Sequence, residues 1–453
     1  GDWGSVAPDD PNWVYAPQEG EIYSVPRNII YQIGQVQRER TYVMLTLQWQ
    51  PIDTVTATLD YAYSKLDIEE QRQDFSAWFN GVPTGGEFAG SGIKAPVIFN
   101  DATGTDVGMG IGEWGRENEL NSLGINITWE PTENLMLAFD YHDGSAENGA
   151  KDNRGSNNVI SGVQFSRSGN RADYRRDLPV LTLTTDDPLD PSRMLSSGTS
   201  FRNSYMENDI EQVQLYGKYF NDGDAFGFVE SIDFGVSMVT NENRSAFSNA
   251  QRDTWGGYGA PEDYPDSIYN PQSLPGQFDE LSGGSNPNLE PTYYEVDFNG
   301  IRNAISDIAS ANGETLGPCG TVLCADPFFN TDRTVEEEQQ AIYFQLNMAW
   351  EAAAWPMRLT VGVRYEETEV DAKAFVPLYD TLVWAADNEF TPLSTGGGFI
   401  DGDGSYDNWL PNIDFDIEPI EDLLFRASFS ETITRPTFNH LQAGKTINQP
   451  VRF

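Results

Sequence analysis

LQWQPIDTVTATLDY, Leu47 to Tyr61, returns 80 residues later as ITWEPTENLMLAFDY, Ile127 to Tyr141, and each copy reads as a β-hairpin. In the first, Val43, Leu45, Leu47 and Trp49 alternate with Met44, Thr46, Gln48 and Gln50. That is the period of two that a strand with one apolar face requires. Residues Pro51 to Thr54 break the run, and Val55, Ala57, Leu59, Tyr61 and Tyr63 resume it. The second copy repeats the scheme with Leu123, Ile125, Ile127 and Trp129, a turn at Pro131 to Asn134, then Leu135, Leu137, Phe139 and Tyr141.

Three further hairpins follow. Val213, Leu215 and Tyr219 pair with Ile232, Phe234, Val236 and Met238 across a Gly/Asp turn. Ile342, Phe344, Leu346, Met348 and Trp350 pair with Leu359, Val361, Val363 and Tyr365, and Ile413, Phe415 and Ile417 with Leu423, Phe425, Ala427 and Phe429. About ten strands result, separated by polar, acidic segments at roughly 65–118, 144–208, 240–336 and 369–406 that read as long loops. Compact soluble domains rarely carry so many long connections. A transmembrane β-barrel does, with tight turns at the periplasmic rim and long extracellular loops at the other. Three details favour it over a soluble sandwich or propeller. Trp49, Trp129 and Trp350 stand beside the short turns, where an aromatic girdle would lie. The opposite faces carry Gln, Asn, Thr, Asp and Arg, which suit a wet or plugged lumen. Many strands also exceed the roughly 9 to 11 residues needed to span a bilayer. The expected fold class is thus all-β, an antiparallel transmembrane barrel filling residues 1–453 as a single, partial domain.

Charge excludes other classes. With 70 Asp and Glu against 27 Lys and Arg, the net charge is −43, and no nucleic-acid partner is expected. No apolar run approaches a spanning helix. The acids either keep the loops solvated or hold a hard cation such as Ca2+. In DGDGSYD, Asp401, Asp403, Ser405 and Asp407 fall at alternate positions like the start of a calcium loop, but the Gly and the closing Glu of an EF-hand are out of place. The two cysteines, Cys319 and Cys324, read as a local disulfide; a half zinc site would need more ligands than His142 and His440 supply. No Walker loop, G-x-S-x-G elbow or H-E-x-x-H helix occurs, and an enzyme is not expected. The segment Val296 to Ser310 is the one stretch with helical spacing, with Ile301, Ile305 and Ile308 on one face. It either packs on its own loop or receives a surface lipoprotein.

The succession VPRNIIYQIGQVQRERTYVMLTLQWQP, RLTVGVRYEETEV and YDNWLPNIDFDIEPIEDLLFRASFSETITRP resembles the barrel of TonB-dependent outer-membrane transporters, in a large-looped proteobacterial branch often linked to carbohydrate uptake. The resemblance runs from about Val25 to Pro436 and implies a 22-stranded barrel, an N-terminal plug and a TonB box that couples to the inner-membrane TonB complex. Neither plug nor box is in this chain, so the sequence reads as a fragment. The implied location is the outer membrane of a Gram-negative bacterium, in contact with lipid and lipopolysaccharide.

The implied function is TonB-driven uptake of a scarce nutrient, an oligosaccharide first, bound at the loop-lined mouth. Trp78, Trp114, Trp255, Tyr258 and Trp384 are the aromatic candidates for stacking on sugar rings. A ferric siderophore is the rival cargo, carried by the cluster Arg167, Arg171, Arg175 and Arg176, which also has Asp173 and Asp177 to pair with. A passive porin or structural surface protein is the alternative of a different class.

Overall fold

A computed structural model describes residues 6–7, 10–79, 82–92, 94–102, 105–223, 227–252, 254–386, 389–420 and 422–444, with the backbone alone at 82, 384–386, 389–391 and 395. Among them ten long strands form one antiparallel wall: β1 (Asn28–Ile52), β2 (Val55–Trp78), β3 (Thr105–Thr132), β4 (Leu135–Ala150), β5 (Leu195–Phe220), β6 (Val229–Arg252), β7 (Thr331–Ala352), β8 (Trp355–Ala386), β9 (Glu389–Ile420) and β10 (Leu423–Ser430). Each pairs with its neighbours in sequence order. β1 and β10 are each paired on one side among the described residues.

Two-residue turns join β1 to β2, β3 to β4 and β7 to β8, all at one rim. At Ala353 and Ala354 both turn residues have positive φ, 52° and 63°. This backbone matches the strand twist but suits Asn-Gly better than alanine.

From that rim an apolar belt crosses the wall. One cross-strand row reads Trp49, Ala57, Ile127, Phe139, Leu215, Val236, Ile342, Tyr365 and Trp409. Nearly all of these face solvent in a lone chain: Trp49 is 68% exposed and Trp409 62%. Side chains so apolar and so bare form the surface that meets lipid. The row also climbs. Trp49 precedes the end of β1 at Ile52 by three residues, and Trp409 precedes the end of β9 at Ile420 by eleven, so the register slips eight residues over eight strand steps. One residue of about 3.3 Å per strand spacing of about 4.8 Å is a tilt of about 35°, as a barrel wall requires.

Above the belt the same face turns acidic. Asp209, Glu242, Glu336, Asp371 and Asp403 lie directly opposite one another on β5 to β9. None of the five makes an ion pair with a described cation. Burial first, then Glu242, Glu338 and Asp371, raise the pKa of the Glu336 carboxyl.

The segments expected to be long loops are corrected here. β2 runs to Trp78, β3 starts at Thr105, and β8 and β9 fill almost all of 369–406. Hydrophobic alternation stops where the wall leaves lipid, but hydrogen-bond pairing continues. Likewise β4 ends at Ala150, and after a short break Asn157–Asp173 takes its place, pairing with β3 on one side and β5 on the other. Beyond the wall this strand also pairs with Pro96–Ala102 and Val180–Thr185.

These strands, the hairpin Tyr269–Ser273 with Thr292–Val296, and helix α1 (Phe298–Asn312) make a cap with its own core. Tyr31, Phe75, Met109, Ile111, Ile160, Phe201, Tyr293 and Ile301 are each 3% exposed or less within it. Tyr31, Phe75, Met109 and Ile111 share parity with the belt, so the cap packs on that face. α1 begins at the cap Asp297, whose carboxylate accepts from the Asn299 amide, and ends at Gly313 in the left-handed conformation. Ile301 and Ile305 are buried and Ile308 packs against the same core, so the helix serves its own layer.

Candidate functional site

The wall's other face is largely polar, and many of its side chains bond to each other. Thr46 donates to Asp60 (2.5 Å), and Asn126 to Asp140 (3.1 Å). Ser122 pairs with His142 (3.1 Å). On β6 to β9, Asn347 donates to Asp233 (2.5 Å) and Ser231 (3.0 Å), Thr360 donates to Asn347 (3.1 Å), and Gln345 accepts from Asn412 (3.4 Å). Apart from the exposed Thr46 and Asp60 these side chains are at least half-buried, and an apolar environment would penalise each of them. They line the inside of the wall. Three cations on it are matched: Lys218 lies 3.3 Å from Asp233, Arg364 3.1 Å from Glu366, and Arg426 2.7 Å from Asp416, while Arg38, Arg40 and Arg358 on the same face make no ion pair among the described residues.

Level with the outer edge of the belt, a strap of residues 431–444 crosses this inner face. It leaves β10, where the Glu431 amide donates to Pro411. The Arg435 guanidinium then pairs with the buried Glu366 carboxylate. Farther on, Gln442 donates to Ser245 on β6 (2.9 Å) and accepts from Arg333 on β7 (3.2 Å). Beneath the strap Val335, Glu337, Thr368, Ala374 and Val376 are buried. Desolvation pushes the Glu337 carboxyl pKa up, with Arg435 opposing.

The aromatic candidates are not gathered into one site. Trp114 is 4% exposed, with the Arg72 guanidinium 5.5 Å from its ring. Tyr258 is 8% exposed; its phenol donates to Glu314 (2.8 Å) and Arg252 stacks 4.2 Å from its ring. Both rings are spent on packing and offer no free face to a ligand, which corrects the expectation for these two. Trp255 is exposed beside Gly198 at the start of β5. Trp78 is half-exposed at the end of β2. The side chain of Trp384 lies outside the described residues.

Three of the four arginines of the basic patch are likewise engaged locally. Arg167 is 1% exposed and donates to the carbonyls of Asp106 (2.7 Å) and Trp78 (2.6 Å) and to the Thr105 hydroxyl. Burial pushes its pKa down, with Asp106 and Asp101 opposing. Arg171 donates to Asn100 (3.2 Å), and Arg175 grips Asp173, holding that carboxyl at about 2. Arg167 is a staple between the ends of β2 and β3, not part of an anion receptor.

Asp401, Asp403 and Asp407 are corrected too. They stand on β9 in extended backbone, exposed and on one face. Alternate residues of a strand lie about 7 Å apart and cannot wrap one ion as a loop does. Among the described residues no group of three or more His, Cys, Asp or Glu is placed to hold a metal. Cys319 and Cys324 form a disulfide in the segment after α1, with Cα atoms 6.1 Å apart. The residues missed from sequence are Glu337, Glu366, Thr368 and Tyr406, whose even or odd numbering already shared the inner-face parity of Gln345 and Arg364.

No curated protein matches the chain. Residues 145–451, about two thirds of it, match the family described as TonB dependent receptor-like, beta-barrel. Its members are transporters of the Gram-negative outer membrane, driven through the TonB complex, and no residue here is assigned a catalytic role. An apolar belt outside, a hydrogen-bonded polar face inside and a family match across six of the ten wall strands and the end of β4 agree: the chain belongs to the TonB-dependent receptor β-barrel family.

Proposed function

We propose that the cargo is a neutral oligosaccharide, taken up from the loop-lined mouth and passed down the inner wall when TonB acts on a plug. The observation that carries this reading is the chemistry of that wall. Amides, hydroxyls and carboxylates that already bond to one another can exchange those bonds for sugar hydroxyls at little cost. Lys218, Arg364 and Arg426 each have a carboxylate partner, which disfavours a ferric siderophore, and Arg38, Arg40 and Arg358 on the same face, unpaired among the described residues, are what keep that cargo as the rival. Contact with the lipopolysaccharide leaflet belongs to the same reading, since the belt ends below a tall acidic surface.

The test is growth and uptake on neutral oligosaccharides and on ferric siderophores in strains with and without TonB. Oligosaccharide uptake that vanishes without TonB is the expected result. Uptake that persists without TonB would establish a diffusion pore instead, and TonB-dependent iron uptake alone would replace the cargo.

A further inference from the structure

Three polar atoms beneath the strap, Glu337 Oε1, Thr368 Oγ1 and Tyr406 Oη, and one on it, Arg435 Nε, have no hydrogen-bond partner among the described residues. Glu337 is 4% exposed and Thr368 1%. They are neighbours. Thr368 and Tyr406 are directly opposite on β8 and β9, and Glu337 on β7 faces Val370, two residues from Thr368 along β8. Buried polar groups are normally satisfied, and each orphan is costly to the fold. A group of them at one spot marks a place built for something that both donates and accepts.

We propose that this spot is a hydroxyl-recognising subsite for the neutral oligosaccharide, and that the strap, latched by Arg435 on Glu366, is a movable cover over it. The chemistry of the set selects the ligand class. Glu366 is neutralised by Arg364 and Arg435, and Glu337, which has no ion pair among the described residues, repels an anion. A cation would have to displace or sit beside Arg435. A sugar edge donates to Glu337, exchanges bonds with Thr368 and Tyr406, and accepts from the guanidinium, leaving no charge unpaired. The cover is tied by few links: the Arg435 pair at one end and Gln442 with Ser245 and Arg333 at the other. Its single helical turn, Phe438–Leu441, buries no residue. Such a segment opens at lower cost than the strands beneath it.

This inference rests on the sugar reading, and its test separates the two. In the full-length protein, Thr368→Cys is labelled on cells with an impermeant maleimide; the native cysteines are bonded to each other and do not compete. With Arg435 intact labelling is slow, and Arg435→Gln raises the rate about tenfold or more, as expected for loss of a charge-assisted bond. A pool of malto-, cello- and xylo-oligosaccharides then slows labelling again, and ferric citrate does not. Equal rates with and without Arg435 would overturn the cover. Glu337→Gln and Tyr406→Phe, which keep shape, are expected to raise the KM for oligosaccharide uptake with little change in maximal rate. Unchanged KM with uptake intact would overturn the subsite and leave the sugar reading standing. Protection by ferric citrate alone would overturn both.

Discussion

Replacing Glu336 with Gln should make the protein more stable, although it deletes a charge and adds no contact. Glu336 faces Glu242 on one side and Asp371 on the other. Two carboxylates about 6 Å apart in water repel by about 0.7 kcal/mol, so two neighbours cost about 1.4 kcal/mol at low ionic strength. At 0.15 M salt the screening length is about 8 Å and roughly half survives. Glu336→Gln should therefore stabilise by about 1.4 kcal/mol in low salt and about 0.7 kcal/mol at physiological salt, within the range for like charges directly opposite.

The pH dependence has a definite sign. The folded carboxyl titrates above its unfolded value. Its contribution to stability is complete below the unfolded value of about 4.3 and is lost as pH rises through the folded one. The gap between variant and parent should thus widen from acid to neutral pH. Urea unfolding in detergent, followed by tryptophan fluorescence at two salt concentrations and across pH, measures it. A variant that is less stable, or a gain unchanged in 1 M salt, would refute the reasoning.

Other outcomes follow from local geometry. Ala353→Asn with Ala354→Gly relieves two left-handed alanines and should add about 1–2 kcal/mol, seen as a higher temperature for loss of the heat-modifiable band on a gel. Arg167→Ala removes hydrogen bonds to two carbonyls and a hydroxyl, of which the Trp78 carbonyl keeps Asn170; we expect the cap to weaken by about 2 kcal/mol and to be cut by protease while the wall stays intact. Opening the short Cys319–Cys324 ring with Cys319→Ser and Cys324→Ser should cost the cap about 2 kcal/mol on chain-entropy grounds, read by hydrogen exchange around α1.

The wall was legible wherever it touches lipid, because there only one face can be polar and alternation is enforced. Val43 to Tyr63 and Leu123 to Tyr141 are such stretches. Above the belt both faces are wet, so the alternation in Gln35, Val36, Gln37, Arg38 and Glu39 disappears while β1 continues. That is why strand was read as loop, and why Asp401, Asp403 and Asp407 resembled an ion-binding loop: a strand in water also alternates. Two of the aromatic candidates mislead for a different reason. Trp114 and Tyr258 look like ligand platforms by type, but burial depends on contacts with Arg72, Arg252 and Glu314, distant in sequence or invisible to pattern. The strap subsite lay open in part, since parity alone puts Thr368 and Tyr406 on the inner face; that residues 431–444 fold back over them could not be read.

The break in β4 has a mechanical consequence. Because Asn157–Asp173 is hydrogen-bonded to β3 and to β5, the cap is spliced into the wall and not hung from it on tethers. Any strain on the cap is passed straight to two wall strands, and a pull from the wall reaches the cap without slack. The upper storey and the two wall strands it joins are therefore coupled directly, without an intervening hinge segment.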